Sequence, residues 1–283
     1  MPSSASGRAC TDSIISRLCL APQTRTAKLR RVAIVCKEVN VIMCRATDIR
    51  EMTSEVLLLR LEPVNSVIPD SKPGQYLEAV LPGGERIPLS VANRPGESTP
   101  WIELHLHHGP ERRRIGLLLE TLRSAGIVAV NMPRGDVWFE MPLKAPLLLL
   151  ASGTGVAQSK AVIEAVMAST TPSEFHLSLI WSARTQDDFY LRDKLQAWCF
   201  ADSPFEFVLF AQQGRGMKEL YAIADAERKR IGSNDVLVSG SPVFVAGCQS
   251  HFESIEASDI RIYSDVCPHQ RDKENRGKVA VLL

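Results

Sequence analysis

Two hydrophobic patterns divide the chain. From Cys44 to about Glu140, apolar residues come in short runs broken by Pro, Gly and Ser. Val56-Leu57-Leu58-Leu59-Arg60-Leu61 and Tyr76-Leu77-Glu78-Ala79-Val80-Leu81 predict strands. Trp101-Ile102-Glu103-Leu104-His105-Leu106 alternates over most of its length, as a half-buried antiparallel strand does. Ile115, Leu118, Leu119 and Leu122 recur at helical spacing and predict one helix. Short strands at such intervals predict a small antiparallel barrel. After Pro142 the pattern changes. Leu147-Leu148-Leu149-Leu150 is a continuous apolar run, followed by a Gly-containing turn and a helical pattern through Val156, Val162, Ile163 and Val166. His176 to Trp181, Phe205 to Phe210 and Asp235 to Ser239 predict further strands, with a helix-like stretch from Tyr190 to Trp198. Strands alternating with helices predict a parallel sheet covered on both faces. The expected organisation is a barrel over residues 43–142, an α/β domain over 143–268 and a tail over 269–283.

Residues 1–42 stand apart, rich in Ser, Thr, Arg and Lys with only Asp12 and Glu38 as acids. They read as an extension that is disordered, targeting or artefactual; Ser16 and Arg17 break the apolar core that a secretory signal needs. Composition changes little else. With 33 Lys+Arg against 32 Asp+Glu the net charge is +1, so no whole-chain attraction to nucleic acid or an anionic membrane is expected. The longest apolar run, Ala145 to Ala151, is too short to span a bilayer. Seven cysteines (Cys10, Cys19, Cys36, Cys44, Cys199, Cys248, Cys267) show neither Cys-x-x-Cys nor the Cys-x4-Cys-x2-Cys run of a plant-type iron–sulfur domain. Unpaired thiols in a reduced, cytoplasmic protein are expected, with no iron–sulfur relay.

The turn Ala151-Ser152-Gly153-Thr154-Gly155-Val156 follows the first predicted parallel strand and opens a helix. Glycine there lets backbone approach a ligand, and free N–H groups at a helix start face an anion. The full dinucleotide fingerprint needs a third glycine where Gln158 stands, and Ser182-Ala183-Arg184 replaces the acid expected after the second strand. A phosphate-bearing ligand at the strand ends is expected, with a plain tight turn as the alternative.

The combination of motifs says more than any one of them. Pro73-Gly74-Gln75-Tyr76, Pro88-Leu89-Ser90, Ile102-Glu103-Leu104-His105, Pro133-Arg134-Gly135-Asp136, Ser152-Gly153-Thr154-Gly155, Ser239-Gly240-Ser241-Pro242 and Tyr263-Ser264-Asp265 occur in order over residues 44–268. In this the chain resembles the ferredoxin–NADP reductase superfamily, and within it the NAD(P)H:flavin oxidoreductases that reduce free flavin. The resemblance implies a flavin-binding antiparallel barrel joined to a nicotinamide-binding α/β domain. NADH or NADPH would pass a hydride from nicotinamide C4 to N5 of FMN, FAD or riboflavin. Carried over position by position, Ser90 is the hydroxyl near flavin N5, and Pro88, Leu89 and Val91 line the ring. His105 and Leu106 lie on the strand flanking the ribityl chain. Gly153, Thr154 and Gly155 form the turn beneath the nicotinamide, Arg184 meets the cofactor's phosphates or adenosine ribose, and Gly240, Ser241 and Pro242 close the other side.

Departures from the family carry information. Members that hold flavin permanently have Arg three residues before this Ser and an aromatic immediately before it; here these are Ile87 and Leu89, with Arg86 displaced by one residue to the opposite strand face. The expectation is flavin bound as a dissociable substrate and released, reduced, to an acceptor such as a flavin-dependent monooxygenase, ferric iron or oxygen. The alternatives are an electron-transfer subunit serving a protein partner, or a flavin-binding module without turnover. Other features read more plainly. Arg112-Arg113-Arg114 is a solvated first helical turn, with a flavin phosphate or an acidic partner as the alternative. His107 and His108 beside His105 lack the further ligands of a metal site, so none is expected. Cys267-Pro268-His269 is a structural end-piece, and Trp138, Trp181 and Trp198 are core residues.

Overall fold

The computed structural model describes residues 41–94, 99–169, 175–200, 203–255 and 259–265. The extension up to residue 40, Cys10, Cys19, Cys36, Cys267-Pro268-His269 and the charged tail lie outside the described residues.

The first part is an antiparallel six-stranded sheet: β1 (Val41–Thr53), β2 (Val56–Pro63), β3 (Tyr76–Val80), β4 (Arg86–Ser90), β5 (Ile102–His107) and, after α1 (Arg113–Ala125), β6 (Ile127–Arg134). The spatial order is β4-β3-β6-β1-β2-β5. Its two edges meet: the Ala92 N–H donates to the Glu103 carbonyl at 2.8 Å and the Glu103 N–H to Asn93 Oδ1 at 2.8 Å, which curls the sheet towards closure. Leu59, Leu61, Leu77, Ile102, Leu104, Leu106 and Val130 fill the interior, and Leu118, Leu119 and Leu122 of α1 plug it. The α1 periodicity visible in the sequence is the face that does so.

The second part is a five-stranded parallel sheet. Its elements are β7 (Leu147–Ser152), α2 (Val156–Met167), β8 (Leu177–Ala183), α3 (Arg192–Trp198), β9 (Phe205–Ala211), α4 (Met217–Ile231), β10 (Asp235–Ser239), α5 (Pro242–Ser254) and β11 (Arg261–Tyr263). The order is β11-β10-β7-β8-β9, every pair parallel. β7 is buried on both faces, as its unbroken apolar run requires. Leu147, Leu149 and Ala151 pack with α2 and α3, whereas Leu148 and Leu150 pack with α4 and α5. The chain therefore leaves β7 in one direction through β8 and β9 and returns to its other flank at β10. Open α/β sheets bind ligands in the crevice that such a reversal leaves, which here falls at the carboxyl ends of β7 and β10.

Trp181 is core, fully buried on β8. Trp138 and Trp198 are only partly buried, contrary to expectation, with a flexible lysine rather than core side chains over one ring face: Lys72 Nζ stands 3.4 Å from the Trp138 ring centroid and Lys194 Nζ 5.1 Å from that of Trp198. Arg112, Arg113 and Arg114 are exposed, and Arg114 Nε pairs with Glu85 at 2.7 Å. No helix among the described residues is long and apolar enough to cross a membrane.

Candidate active site

The crevice between β7 and β10 is built by close backbone approach. Gly153-Thr154-Gly155 forms one 3-10 turn that runs into α2. Gly153 has φ +53°, which favours glycine. At Gly155 the demand is space: a Cβ would stand 2.7 Å from Gly240 N and closer still to the Ser239 carbonyl. Ser239 Oγ donates to the Gly155 carbonyl at 2.8 Å, so turn and strand end are locked together. No side chain caps α2 and its first turn carries no acid. The Val156 N–H is already taken by the Gly153 and Thr154 carbonyls, so what favours an anion at the reversal is the positive end of the helix dipole. This fits the pyrophosphate of a nicotinamide dinucleotide. Ser241 is the N-cap of α5, accepting from the Phe244 N–H at 3.2 Å, with Pro242 at the first helical position. Arg184 is exposed after β8 and reaches across to Glu55 between β1 and β2 at 3.0 Å. A phosphate must compete with that carboxylate for it.

On the barrel side, β4 presents alternate residues. Pro88 and Ser90 face outward, and the half-buried Ser90 hydroxyl has no hydrogen-bond partner among the described residues. Ile87 is buried in the barrel core, and Leu89 packs against it. Val91 is also core, only 4% exposed, so its side chain does not line a ring site as expected; the strand ends at Ser90 and the chain turns inward. Arg86 is committed to Glu78 at 2.9 Å. Tyr76, directly opposite Ser90 in the β3–β4 pair, was missed by sequence reasoning. Cross-strand partners share a face, so this aromatic flanks the hydroxyl.

His105 and Leu106 both lie on β5 with buried side chains. Leu106 points into the barrel core and the His105 side chain is wholly buried, so neither offers a side chain to a ribityl group. The alternation of β5 suggested a solvated polar face, but the α/β domain covers it. His105 Nε2 contacts Glu103 Oε1 at 3.2 Å and Nδ1 contacts the Tyr190 hydroxyl at 3.1 Å. Burial pushes the His105 pKa down against the pull of Glu103, which leaves a neutral ring. Nε2–H then donates to the carboxylate, and Nδ1 accepts from Tyr190. Burial alone would raise Glu103; hydrogen bonds from His105 and the charge of Lys160 outweigh it and hold the carboxyl well below the ordinary range. His107 accepts from Arg112 at 3.2 Å and pairs with Glu55 at 3.4 Å.

Two α2 residues that sequence reasoning passed over tie the halves together. Gln158 Nε2 donates to the Gly74 carbonyl at 2.6 Å and to Asp265 Oδ2 at 2.9 Å. Lys160, 1% exposed, donates to the Ala92 carbonyl at 2.8 Å and contacts Glu103 at 2.9 Å and Glu164 at 2.8 Å. The available signal was α2 itself, whose residues are nearly all apolar or small, leaving Lys160 no polar stripe to belong to.

Asp265 sits beside Tyr76 and Gly135, where burial and the charge of Asp136 push its pKa up to about 6, against hydrogen bonds from Val137 and Gln158. A raised folded-state value means that the ionised carboxylate weighs against folding above pH 6. That penalty fades as pH falls through about 6 towards the ordinary 3.8. Asp265→Asn is expected to raise Tm by about 2–4 °C at pH 8, on the order of 1 kcal/mol after discounting for partial exposure. The gain should shrink at pH 5. Thermal unfolding at both values checks this, and an equal or larger gain at pH 5 contradicts it.

Residues 149–250 match the family model for the oxidoreductase NAD-binding domain. An NAD(P)H-flavin reductase of Vibrio harveyi is 23% identical over 235 residues, 79% of this chain and 97% of that protein. A reductase component of terephthalate 1,2-dioxygenase from Comamonas is 31% identical over 218 residues, 75% of this chain and 64% of that protein. Among solved structures, a cytochrome P450 reductase from Amycolatopsis superposes with a TM-score of 0.63 at 21% identity, covering 80% of this chain and 69% of the other. The antiparallel barrel followed by a parallel sheet with helices is the fold shared with this structural neighbour, and together these similarities support a place in the ferredoxin–NADP reductase superfamily. Within it, the similarity to NAD(P)H-flavin reductases supports the flavin reductase branch.

Proposed function

We propose that this protein is an NAD(P)H:flavin oxidoreductase that reduces free FMN, FAD or riboflavin. The observation carrying the reading is the pairing of two sites: an uncapped, acid-free helix start at the β7–β10 crevice, and an unpartnered Ser90 hydroxyl on the outward face of β4. The crevice backbone and α2 hold the nicotinamide nucleotide. Pro88 and Tyr76 flank the flavin ring while Ser90 donates to it. The chemistry supplied by the bound pair is hydride transfer from nicotinamide C4 to flavin N5, with a proton taken up from solvent. What the chain contributes is orientation and a hydroxyl dipole where charge develops.

Ile87 and Leu89 are turned to the barrel core and Arg86 is held by Glu78, so β4 supplies neither a free cation for a flavin phosphate nor an aromatic stack. Flavin is therefore a dissociable substrate in this reading, and reduced flavin passes to an acceptor such as a flavin-dependent monooxygenase. Purified protein is expected to be colourless after dialysis and to oxidise NADH or NADPH only with added flavin. Near-stoichiometric yellow flavin surviving dialysis, or turnover with a protein acceptor alone, overturns the free-flavin reading. The latter outcome would favour an electron-transfer subunit, a role consistent with the 31% identity to a dioxygenase reductase component. No turnover under either condition would favour a non-catalytic flavin-binding module.

A further inference from the structure

Lys160 is one of the most completely buried large side chains of the molecule, yet it touches neither face of the crevice directly. Its Nζ has three oxygen partners from three places: the Ala92 carbonyl, two residues beyond Ser90; Glu103 on β5; and Glu164 one turn along α2. Burying such a group has no general stabilising rationale, because desolvation offsets the attraction and an apolar replacement often does as well. What a fully saturated buried lysine does supply is fixed geometry.

The geometry it fixes lies between the two half-sites. α2 starts at the Gly155 turn, and at 1.5 Å rise per residue Lys160 lies about 8 Å along it. Gln158, half a turn earlier, holds the Gly74 carbonyl. The next residue, Gln75, accepts the Val91 N–H at 3.3 Å, so α2 holds the chain at two successive residues just beyond Ser90, Val91 through Gln75 and Ala92 through Lys160. A second route returns to the turn itself. From Lys160 the contacts run through Glu103, His105 and Tyr190 to Trp181, whose ring packs edge-on to Tyr190 with centroids 5.2 Å apart. Trp181 Nε1 donates to the Gly153 carbonyl at 3.0 Å. An unbroken chain of contacts thus joins the flavin strand to the nicotinamide turn, with Lys160 as its branch point.

We propose that Lys160 is a positioning residue that sets the gap between the Ser90 strand end and the Gly153–Gly155 turn, and so the distance over which hydride passes. The inference rests on the flavin reductase reading. Hydride transfer needs its reacting atoms about 3–3.5 Å apart, and a displacement of about 1 Å can lower the rate on the order of 100-fold.

The test compares wild type, Lys160→Met, Lys160→Arg and the double variant Lys160→Met/Glu103→Gln. The double variant leaves no uncompensated buried carboxylate at Glu103, and so covers the case in which Lys160→Met fails to fold. Single-turnover flavin reduction is followed at saturating NADH and flavin, with protium or deuterium at nicotinamide C4, alongside Tm. Positioning predicts at least a ten-fold slower hydride step in the folded Met-containing variants and a more temperature-dependent isotope effect. Flavin KM should stay within about three-fold, and Lys160→Arg should recover part of the rate. These outcomes follow from distance sensitivity. An unchanged hydride step in a folded double variant, even with a lowered Tm, would show a structural clip and overturn the proposal. Wild-type protein that reduces no flavin would instead remove the underlying reading, so the two failures are distinguishable.

Discussion

Replacing Ser90 by Ala is expected to lower saturated NADH-dependent flavin turnover by tens-fold or more, without a measurable change in Tm. The two halves of that expectation have separate origins. Turnover falls because a hydroxyl aimed at developing charge acts in the transition state; loss of one such donor costs about 10²–10³-fold where the donor is fully engaged. Stability holds because Ser90 is half-buried and its hydroxyl has no hydrogen-bond partner among the described residues, so truncation orphans nothing. The adjoining anchors survive as well, since Val91 and Ala92 are held through backbone groups. Steady-state kinetics at saturating flavin and nicotinamide, with thermal unfolding, checks it. Unchanged turnover removes Ser90 from the mechanism, and a large fall in Tm would mark it as structural.

The second large effect is expected at Gly155. Gly155→Ala places a methyl group against the backbone of Ser239 and Gly240, with Gly240 N only 2.7 Å away. A flexible side chain could swing aside, but a strand end hydrogen-bonded to its neighbour cannot. Ser239 pairs with Ala151 on β7 and also donates to the Gly155 carbonyl, so relief requires β10 and α5 to move off the turn. Overpacking of this kind costs about 1–3 kcal/mol, and backbone contact puts this site at the upper end. Tm should therefore fall by several degrees, and KM for NADH should rise at least ten-fold because the crevice that receives the dinucleotide is widened. Flavin KM should change much less. NADH titration and thermal unfolding decide the matter, and a variant equal to wild type in both would contradict the close approach.

Much of this architecture was legible in the sequence because the relevant signals are local. Leu147 to Leu150, four residues bounded by Pro146 and a Gly-containing turn, reads as a strand buried on both faces. The spacing of Ile115, Leu118, Leu119 and Leu122 can only be one helical stripe. The order of seven short motifs pointed to the Gly155 turn and to Ser90. Where the reading went astray, the missing information came from distant chain. Glu103 and His105 alternate with Ile102, Leu104 and Leu106, which is the pattern of a solvated polar face. It becomes an interior because Lys160 and Tyr190, from the other domain, cover it. Val91 looked like the next residue of a ring-lining strand, yet the strand ends at Ser90 and the side chain falls into the core. Arg184, free in the sequence, is engaged by Glu55 from the other sheet.

The sequence by itself therefore determined the two sheets, their helices, the glycine turn and the serine, since hydrophobic period and backbone permissiveness act over a few residues. The pairing of those two half-sites was decided by tertiary structure alone. Charge, burial and hydrogen bonding at Lys160, Glu103, Gln158 and Asp265 depend on what another part of the chain brings within about 3 Å, and no local pattern encodes that distance.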